Sequence, residues 1–324
     1  MDLGTLLYLS RADLEQIDLP MQEIIDALEE MFREKGEGRV EMPPKPGIHT
    51  RPDAFIHAMP AYIPSLNAAG MKWVSGYPGN QKKGLPYITG LMILNDPETG
   101  FPIAVMDATW ITAKRTGAAT AVAAKYLARP DSSTVGILAC GVQGRSNLEA
   151  LACVFEISQV KAYDVVPEVA ERYAAEMGEK LGLEVEVVGS PEDAVRGLDL
   201  VVTSGPILKH PTPTIPAGWL AEGAFASPVD FDSYWTGEAL AEADKLATDD
   251  TEQMGYYRKT GYFQTTPEPY ADLGEIVAGK KPGRQSPRER IFSINLGLAL
   301  DDVATAPLIY RRALDRGMGV RLPL

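Results

Sequence analysis

Two cations in apolar or small-residue company are the first residues whose chemistry stands out: Lys72 in Gly70-Met71-Lys72-Trp73-Val74, and Arg115 in Thr112-Ala113-Lys114-Arg115-Thr116-Gly117. Lys and Arg are seldom buried alone, so a cation in such a run either snorkels to solvent or faces a pocket that holds an anion. The planar fork of Arg115 suits a carboxylate taken bidentately, and equally a surface ion pair. Lys45 follows Pro43-Pro44, and His57 precedes Ala58-Met59-Pro60. On residue type alone, Lys45 reads as a solvated loop charge and His57 as a packed side chain.

A second site of potential chemistry is the turn Ala139-Cys140-Gly141-Val142-Gln143-Gly144, which follows the apolar run Val135-Gly136-Ile137-Leu138. This is an A-x-G-x-x-G version of the dinucleotide fingerprint. Gly141 lets backbone approach a pyrophosphate, and Gly144 lets the next helix pack close and aim its N-terminus at the anion. Asp164 closes the following strand, twenty positions after Gly144, where a carboxylate accepts from a ribose 2′-hydroxyl and disfavours a 2′-phosphate. The expected cofactor is therefore NAD rather than NADP; the plainer reading makes Asp164 a cap for the helix after Pro167. Asp230 and Asp232, in Ser227-Pro228-Val229-Asp230-Phe231-Asp232, follow another strand-like run. There they face the crevice where such sheets bind ligands and one of them moves protons, or they cap a helix from Ser233 onward. The aromatic stretch 251–269, with Tyr256, Tyr257, Tyr262 and Phe263, reads as a lid or as a packed surface loop.

The elements that must position these groups fall into two styles. Residues 10–36 carry a helical pattern through Met21, Ile24, Ile25, Leu28, Met31 and Phe32. From Phe55 to Pro102, short apolar runs between turn signals predict antiparallel strands, and Thr112–Leu127 predicts an alanine-rich helix with a face for close packing. From Thr134 onward, strand runs near 134–138, 160–165, 184–188, 198–203, 224–226, 245–248 and 291–293 alternate with helical patterns. Among those patterns are Pro167–Leu181 and a helix opened by Ser190-Pro191-Glu192-Asp193. Such alternation predicts a parallel, doubly wound sheet. A last helix over about 300–316 leaves a short tail.

Composition excludes other classes. The 324 residues carry 31 Lys and Arg against 44 Asp and Glu, a net charge of −13, which is no footprint for nucleic acid. No run approaches the roughly 18 apolar residues of a membrane span, and the N-terminus has no secretory pattern, so a cytoplasmic protein is expected. Two cysteines, Cys140 and Cys153, allow one bridge at most, and three scattered histidines give no metal-ligand spacing. The partners to expect are small molecules and other protein chains.

The motifs Gly70–Val74, Thr112–Thr116, Gly141-Val142-Gln143 and Phe292–Asp302, in this order and spacing, resemble the ornithine cyclodeaminase/mu-crystallin family, which includes a branch of alanine dehydrogenases. The resemblance implies a Rossmann-type doubly wound domain over 129–298 that binds NAD. It is inserted into a mixed α+β substrate-binding and dimerisation domain over 1–128, with 299–324 returning to it. A homodimer is implied as well. Lys72 and Arg115 look like the cations that hold the substrate carboxylate, and Lys45 is similar to a lysine that joins them in the alanine dehydrogenase branch. Asp232 aligns with the family's catalytic aspartate, although the usual glycine-rich surround and Pro-Gly-Lys tail are replaced. His57 falls where cyclodeaminases carry glutamate and alanine dehydrogenases arginine. Ala139 replaces the first glycine of the family's turn. Asn295 stands where many members have serine beside the nicotinamide; with Thr116, Gly141, Val142, Gln143, Gly144, Asp164 and Ser204 it completes the expected cofactor site.

The activity implied is hydride transfer between an L-amino acid and NAD to give an imino or keto acid, with Lys72 and Asp232 at the reacting centre. Cyclodeamination of ornithine or lysine with NAD recycled is the second reading, and Asp230 is then a spare carboxylate for a distal ammonium. A crystallin-like nucleotide-binding protein is the third; mu-crystallin lacks an acid at the position of Asp232, so Asp232 favours an enzyme.

Overall fold

The computed structural model describes residues 4–52 and 54–324. The chain divides into two compact units, Met1–Arg115 with Leu298–Leu324, and Thr116–Gly297. The division near the middle falls inside a helix, at Arg115, rather than at residue 128 where that helix ends.

The first unit opens with strand β1 (Thr5–Leu9) and helices α1 (Arg11–Ile17) and α2 (Met21–Gly36). The helical pattern over 10–36 is thus two helices. Ser10 and Asp13 form a capping box on α1, Asp18 ends it in the left-handed region at φ 44°, and Pro20 cannot continue it. The apolar face of α2 is buried, each large side chain stabilising the unit by roughly 1.5–3 kcal/mol. There follow β2 (Gly47–Ile48), β3 (Phe55–Ile63), β4 (Ala68–Gly76), β5 (Ile88–Asn95), β6 (Pro102–Asp107) and α3 (Ala108–Leu127).

The predicted antiparallel strands form: β2 to β6 pair antiparallel in sequence order, while β1 lies parallel to β6. After the second unit, the chain returns with α9 (Ala299–Asp315) and β15 (Val320–Pro323). The expected tail is therefore a strand, antiparallel to β1, which completes a seven-stranded sheet in the order β15-β1-β6-β5-β4-β3-β2. Alternation along the strands puts Leu7, Leu9, Met59, Lys72, Val74, Met92 and Met106 on the buried face, against which α9 packs.

The second unit holds β7 (Thr134–Leu138), α4 (Val142–Val154), β8 (Gln159–Tyr163), α5 (Pro167–Leu181), β9 (Val185–Val187), β10 (Leu200–Thr203) and β11 (Phe225–Pro228). It continues with α6 (Gly237–Leu240), β12 (Lys245–Thr248), α7 (Thr251–Lys259), β13 (Ala271–Asp272), α8 (Leu273–Val277) and β14 (Ile291–Ile294). All eight strands run parallel in the order β13-β12-β14-β11-β10-β7-β8-β9, the doubly wound sheet that the strand–helix alternation predicts. Sequence order reverses between β7 and β10, the switch point at which such sheets open a crevice.

The helix expected from Ser190 does not form. Ser190 and Asp193 exchange the hydrogen bonds of a cap, yet only turns follow, because Gly197 and the start of β10 arrive within a few residues. The alanine-rich helix packs as its composition predicts: a Cβ on Gly117 would lie 2.3 Å from the Ser146 carbonyl of α4. Cys140 is buried, Cys153 exposed, and both are free thiols.

Candidate functional site

In the first unit, the alternation of β4 turns Lys72 inward until it is 1% exposed. Its Nζ lies 2.6 Å from Asp302 Oδ2 and donates to Thr112 Oγ1 at 3.3 Å. Arg115, one helical turn beyond Thr112 on α3, is also buried, with Nη1 3.1 Å from Asp301 Oδ2 and Nε 3.4 Å from Asp302 Oδ1. The two acids sit in the first turn of α9, where negative charge is favoured by the helix dipole. Asp301 also accepts the Leu298 N–H at 3.0 Å, so one carboxylate both starts the helix and faces Arg115.

Burial sets the electrostatics of this cluster. It pushes the Lys72 ammonium down to about 8; Asp302 draws it up, and Arg115 and Lys45 press it down. Burial lifts the Asp301 carboxyl to about 6 against the pull of Arg115. His57 is pushed down to about 4 by burial and by the charges of Lys45, His49 and Lys72, so at neutral pH its ring is uncharged. That ring stacks on Phe55 at 4.4 Å and lies over Gly47, where a Cβ would come within 2.2 Å of it. Lys45, His57, Lys72 and Arg115 therefore belong to one electrostatic neighbourhood. Chemically, it offers charged N–H donors in a low-dielectric site, which suits a small carboxylate.

In the second unit, the glycine turn leads from β7 into α4. Gly141 is the N-cap of α4 without a side-chain hydrogen bond, and a Cβ there would meet nothing within 4 Å. Backbone donors thus face open space, as an incoming anion needs. A Cβ on Gly144 would strike the Ala139 carbonyl at 2.7 Å, so that glycine is required for the close helix approach. Ala139 itself has φ 72°, the left-handed region that favours glycine. Asp164 Oδ2 accepts from the Cys140 N–H at 2.8 Å and Oδ1 from the Val166 N–H at 3.0 Å, which fixes the carboxylate beside the turn with lone pairs to spare. It does not cap α5, whose N-cap is Val166.

Other groups frame the same turn. The Ser204 hydroxyl donates to the Ala139 carbonyl at 2.8 Å, bracing the turn from the end of β10. Val142 is 63% exposed, while Gln143 Oε1 and Asn147 Oδ1 are buried acceptors without a protein hydrogen-bond partner. Burial raises the Cys140 thiol to about 12, which makes it inert at neutral pH.

The two aspartates after β11 part company. Asp230 is fully buried with both oxygens engaged, by Thr203 Oγ1 at 2.8 Å and the Gly205 N–H at 2.9 Å, and burial lifts it to about 7. It ties the β10 turn to the β11 turn from a fully buried position. Asp232 is 6% exposed and accepts one hydrogen bond from Thr266 Oγ1; burial raises its pKa, with Thr266 and Arg258 opposing. No helix starts at Ser233, which disposes of the capping reading. The stretch 251–269 is packed rather than free: Tyr257, Tyr262 and Phe263 contact the ring of Phe231, and Phe263 is buried.

Asn295 follows β14; its Oδ1 accepts from Ser293 Oγ at 2.9 Å, and its Nδ2 is buried without a protein acceptor. Thr116 is half-buried at the start of the second unit. Residue-type reasoning passed over Asp301, Asp302 and Arg145. The first two carried a signal, an acidic pair opening a strongly apolar helix. Arg145 follows Gly144 directly; it donates to the Cys140 and Gly141 carbonyls and is ion-paired with Glu176, which braces the turn against α5. Among the described residues, no group of three His, Cys, Asp or Glu could hold a metal ion, and no helix is long and apolar enough to cross a membrane.

Comparison with known proteins extends over the whole of this arrangement. The chain is 38% identical to an alanine dehydrogenase of Archaeoglobus fulgidus over 98% of both sequences. Its fold matches a Δ1-pyrroline-2-carboxylate reductase of Thermococcus litoralis, solved with NADH and L-proline, with a TM-score of 0.89 and 38% identity over 97% of this chain and 99% of that one. An archaeal alanine dehydrogenase dimer with bound NAD matches with a TM-score of 0.88 and 38% identity over 98% and 99%. The ornithine cyclodeaminase/mu-crystallin family profile spans residues 8–317, and with relatives of this identity covering both chains almost end to end, the protein belongs to that family.

Proposed function

We propose that the protein is an NAD-dependent oxidoreductase that interconverts an L-amino acid, open-chain or cyclic, with its imino or keto acid. The observation that carries this reading is the buried pair Lys72 and Arg115 on adjoining elements of the first unit, which suits a substrate carboxylate, in a chain whose relatives at 38% identity include an alanine dehydrogenase and a reductase. Lys45 adds a third positive charge, and the uncharged His57 offers an aromatic wall for the rest of the substrate.

The glycine turn fits NAD: open space at Gly141 and an uncapped α4 N-terminus suit the pyrophosphate, and Asp164 suits a ribose diol. When bound, NAD supplies the acceptor for a hydride from the substrate Cα. Thr116, Val142, Gln143, Ser204 and Asn295 complete this site, the Asn295 Nδ2 offering a donor that no protein group takes. Asp232, buried and with a raised pKa, is the proton shuttle: it takes a proton from the substrate ammonium or from the water that attacks the imine.

Dehydrogenase or imine-reductase activity stands ahead of cyclodeamination because the carboxylates near Lys72 and Arg115 are already paired with those cations. Asp230, too, is fully buried and held by Thr203 and the Gly205 N–H, which disfavours it as a partner for a distal ammonium. As in the archaeal alanine dehydrogenase, the working form is a homodimer. The outward face of the first unit's sheet, with exposed Tyr8, Trp73, Leu91, Val320 and Leu322, is the apolar surface assigned to it. The cytoplasm, where NAD and free amino acids meet, is the proposed location.

The deciding experiment follows NADH absorbance while protein and NAD are incubated with a panel of L-amino acids including L-alanine, L-proline, L-ornithine and L-lysine, with ammonia assayed in the same wells. NADH formation, or NADH consumption with pyruvate and ammonia or with Δ1-pyrroline-2-carboxylate, is expected. Ammonia released from ornithine or lysine without net NADH would replace this reading with a cyclodeaminase.

A further inference from the structure

We infer that Asp302 is a positioning residue: one carboxylate, with an oxygen toward each cation, sets the spacing and orientation of Lys72 and Arg115 for a substrate carboxylate. The inference rests on the assignment of those two cations to the substrate. Asp302 Oδ2 lies 2.6 Å from Lys72 Nζ and Oδ1 lies 3.4 Å from Arg115 Nε, and the acid itself is fully buried. A lysine ammonium sits on a flexible stem; the ion pair with Asp302 and the hydrogen bond to Thr112 hold it from two sides. Arg115 is gripped in the same way, its Nη1 against Asp301 and its Nε against Asp302.

The groups that face this bridge come from every element around it: Lys72 from β4, Thr112 and Arg115 from α3, Asp301 from α9, and Lys45 and His57 at longer range. In a buried site two cations repel one another and their flexible stems splay apart, whereas a carboxylate between them holds both in place before substrate arrives. Because α9 presents Asp302 one residue after Asp301, the helix cap and the bridge are built by the same turn.

The test compares wild type, Asp302→Asn, Lys72→Met and the double variant by titration of L-alanine and of L-proline into NADH-loaded protein, read by nucleotide fluorescence, alongside KM, kcat and the pH dependence of kcat/KM. Asp302→Asn is expected to weaken amino-acid binding and raise KM about 10- to 100-fold while NADH affinity stays unchanged. The alkaline limb of the profile should move to lower pH, because the charge that keeps the Lys72 ammonium protonated has gone. The double variant should lose less than the product of the two single losses, because the part of the Asn effect that acts through Lys72 is already gone and only the orientation of Arg115 remains to be lost; it also keeps the test alive if the single Asn variant fails to fold, since the pair leaves no uncompensated charge.

A folded Asp302→Asn protein with wild-type KM and an unmoved alkaline limb, or losses that multiply in the double variant, would overturn the inference. Wild-type binding by Lys72→Met, or no response of the wild type to either amino acid, would instead overturn the assignment on which it rests.

Discussion

The Thr266 hydroxyl donates a hydrogen bond to Asp232 Oδ2 at 3.0 Å, from the far end of the aromatic stretch that packs on Phe231. Phe231 sits at φ 64°, and this strained position is held because its ring is enclosed by Tyr257, Tyr262 and Phe263. The orientation of Asp232 thus depends on packing beyond its own turn. Asp232→Asn should lower turnover by about 10²–10⁴-fold with NAD affinity intact, as steady-state kinetics and a fluorescence titration would reveal. Thr266→Val removes a bond that favours the ionised carboxylate, so the acid limb of kcat/KM should move to higher pH.

In the proposed reading Asp164 carries the cofactor choice. Its oxygens accept two backbone N–H groups, so Asp164→Asn, which keeps an acceptor but loses the charge, is the informative substitution. The NAD-to-NADP affinity ratio should fall by at least about tenfold, since repulsion of a 2′-phosphate is lost while one of the two backbone hydrogen bonds to the turn is kept. An unchanged ratio from parallel titrations of the two nucleotides would remove Asp164 from that role.

Ala139 occupies a backbone conformation that costs an L-residue roughly 1–2 kcal/mol. Ala139→Gly relieves that strain and gives back part of the gain through the freer unfolded chain. A net stabilisation of about 0.5–1 kcal/mol in urea unfolding is expected. A glycine variant that is less stable than wild type would show that Ala139 makes packing contacts worth more than its strain.

His57 titrates near 4 in the folded protein against an ordinary 6.5, because burial and neighbouring cations oppose its charged form. A depressed folded pKa contributes stability that is complete above 6.5 and is lost as pH falls toward 4. His57→Gln should therefore lose less Tm than wild type over that window, measured by thermal melts at fixed ionic strength. Equal slopes would place His57 in a solvated, unperturbed setting.

Much of this architecture is written in residue patterns. Short apolar runs between turn signals over 55–102 and the strand–helix rhythm after Thr134 correspond to the two observed sheets, because these patterns reflect where strands are buried and where the chain must turn. Caps and turns were less legible. Ser190-Pro191-Glu192-Asp193 makes cap-type hydrogen bonds without a helix, and the break at Asp18 interrupts an unbroken apolar period. The proposed site was legible in its cations and glycines but not in their counter-ions. Asp301 and Asp302 lie almost 190 residues from Arg115 in sequence, and only the fold brings the returning helix to β4.

That return has a bearing on how the protein is made. The contiguous stretch 116–297 has all eight strands of its sheet before the ribosome reaches α9, so it can fold as a unit during synthesis. The first unit cannot, because β15 completes its sheet edge and α9 fills its buried face. Until the last 27 residues emerge, Lys72 and Arg115 have no Asp301 or Asp302 to neutralise them, and a nascent chain stalled before Leu298 carries two cations that resist burial. Charge pairing thereby ties the burial of Lys72 and Arg115 to the presence of α9.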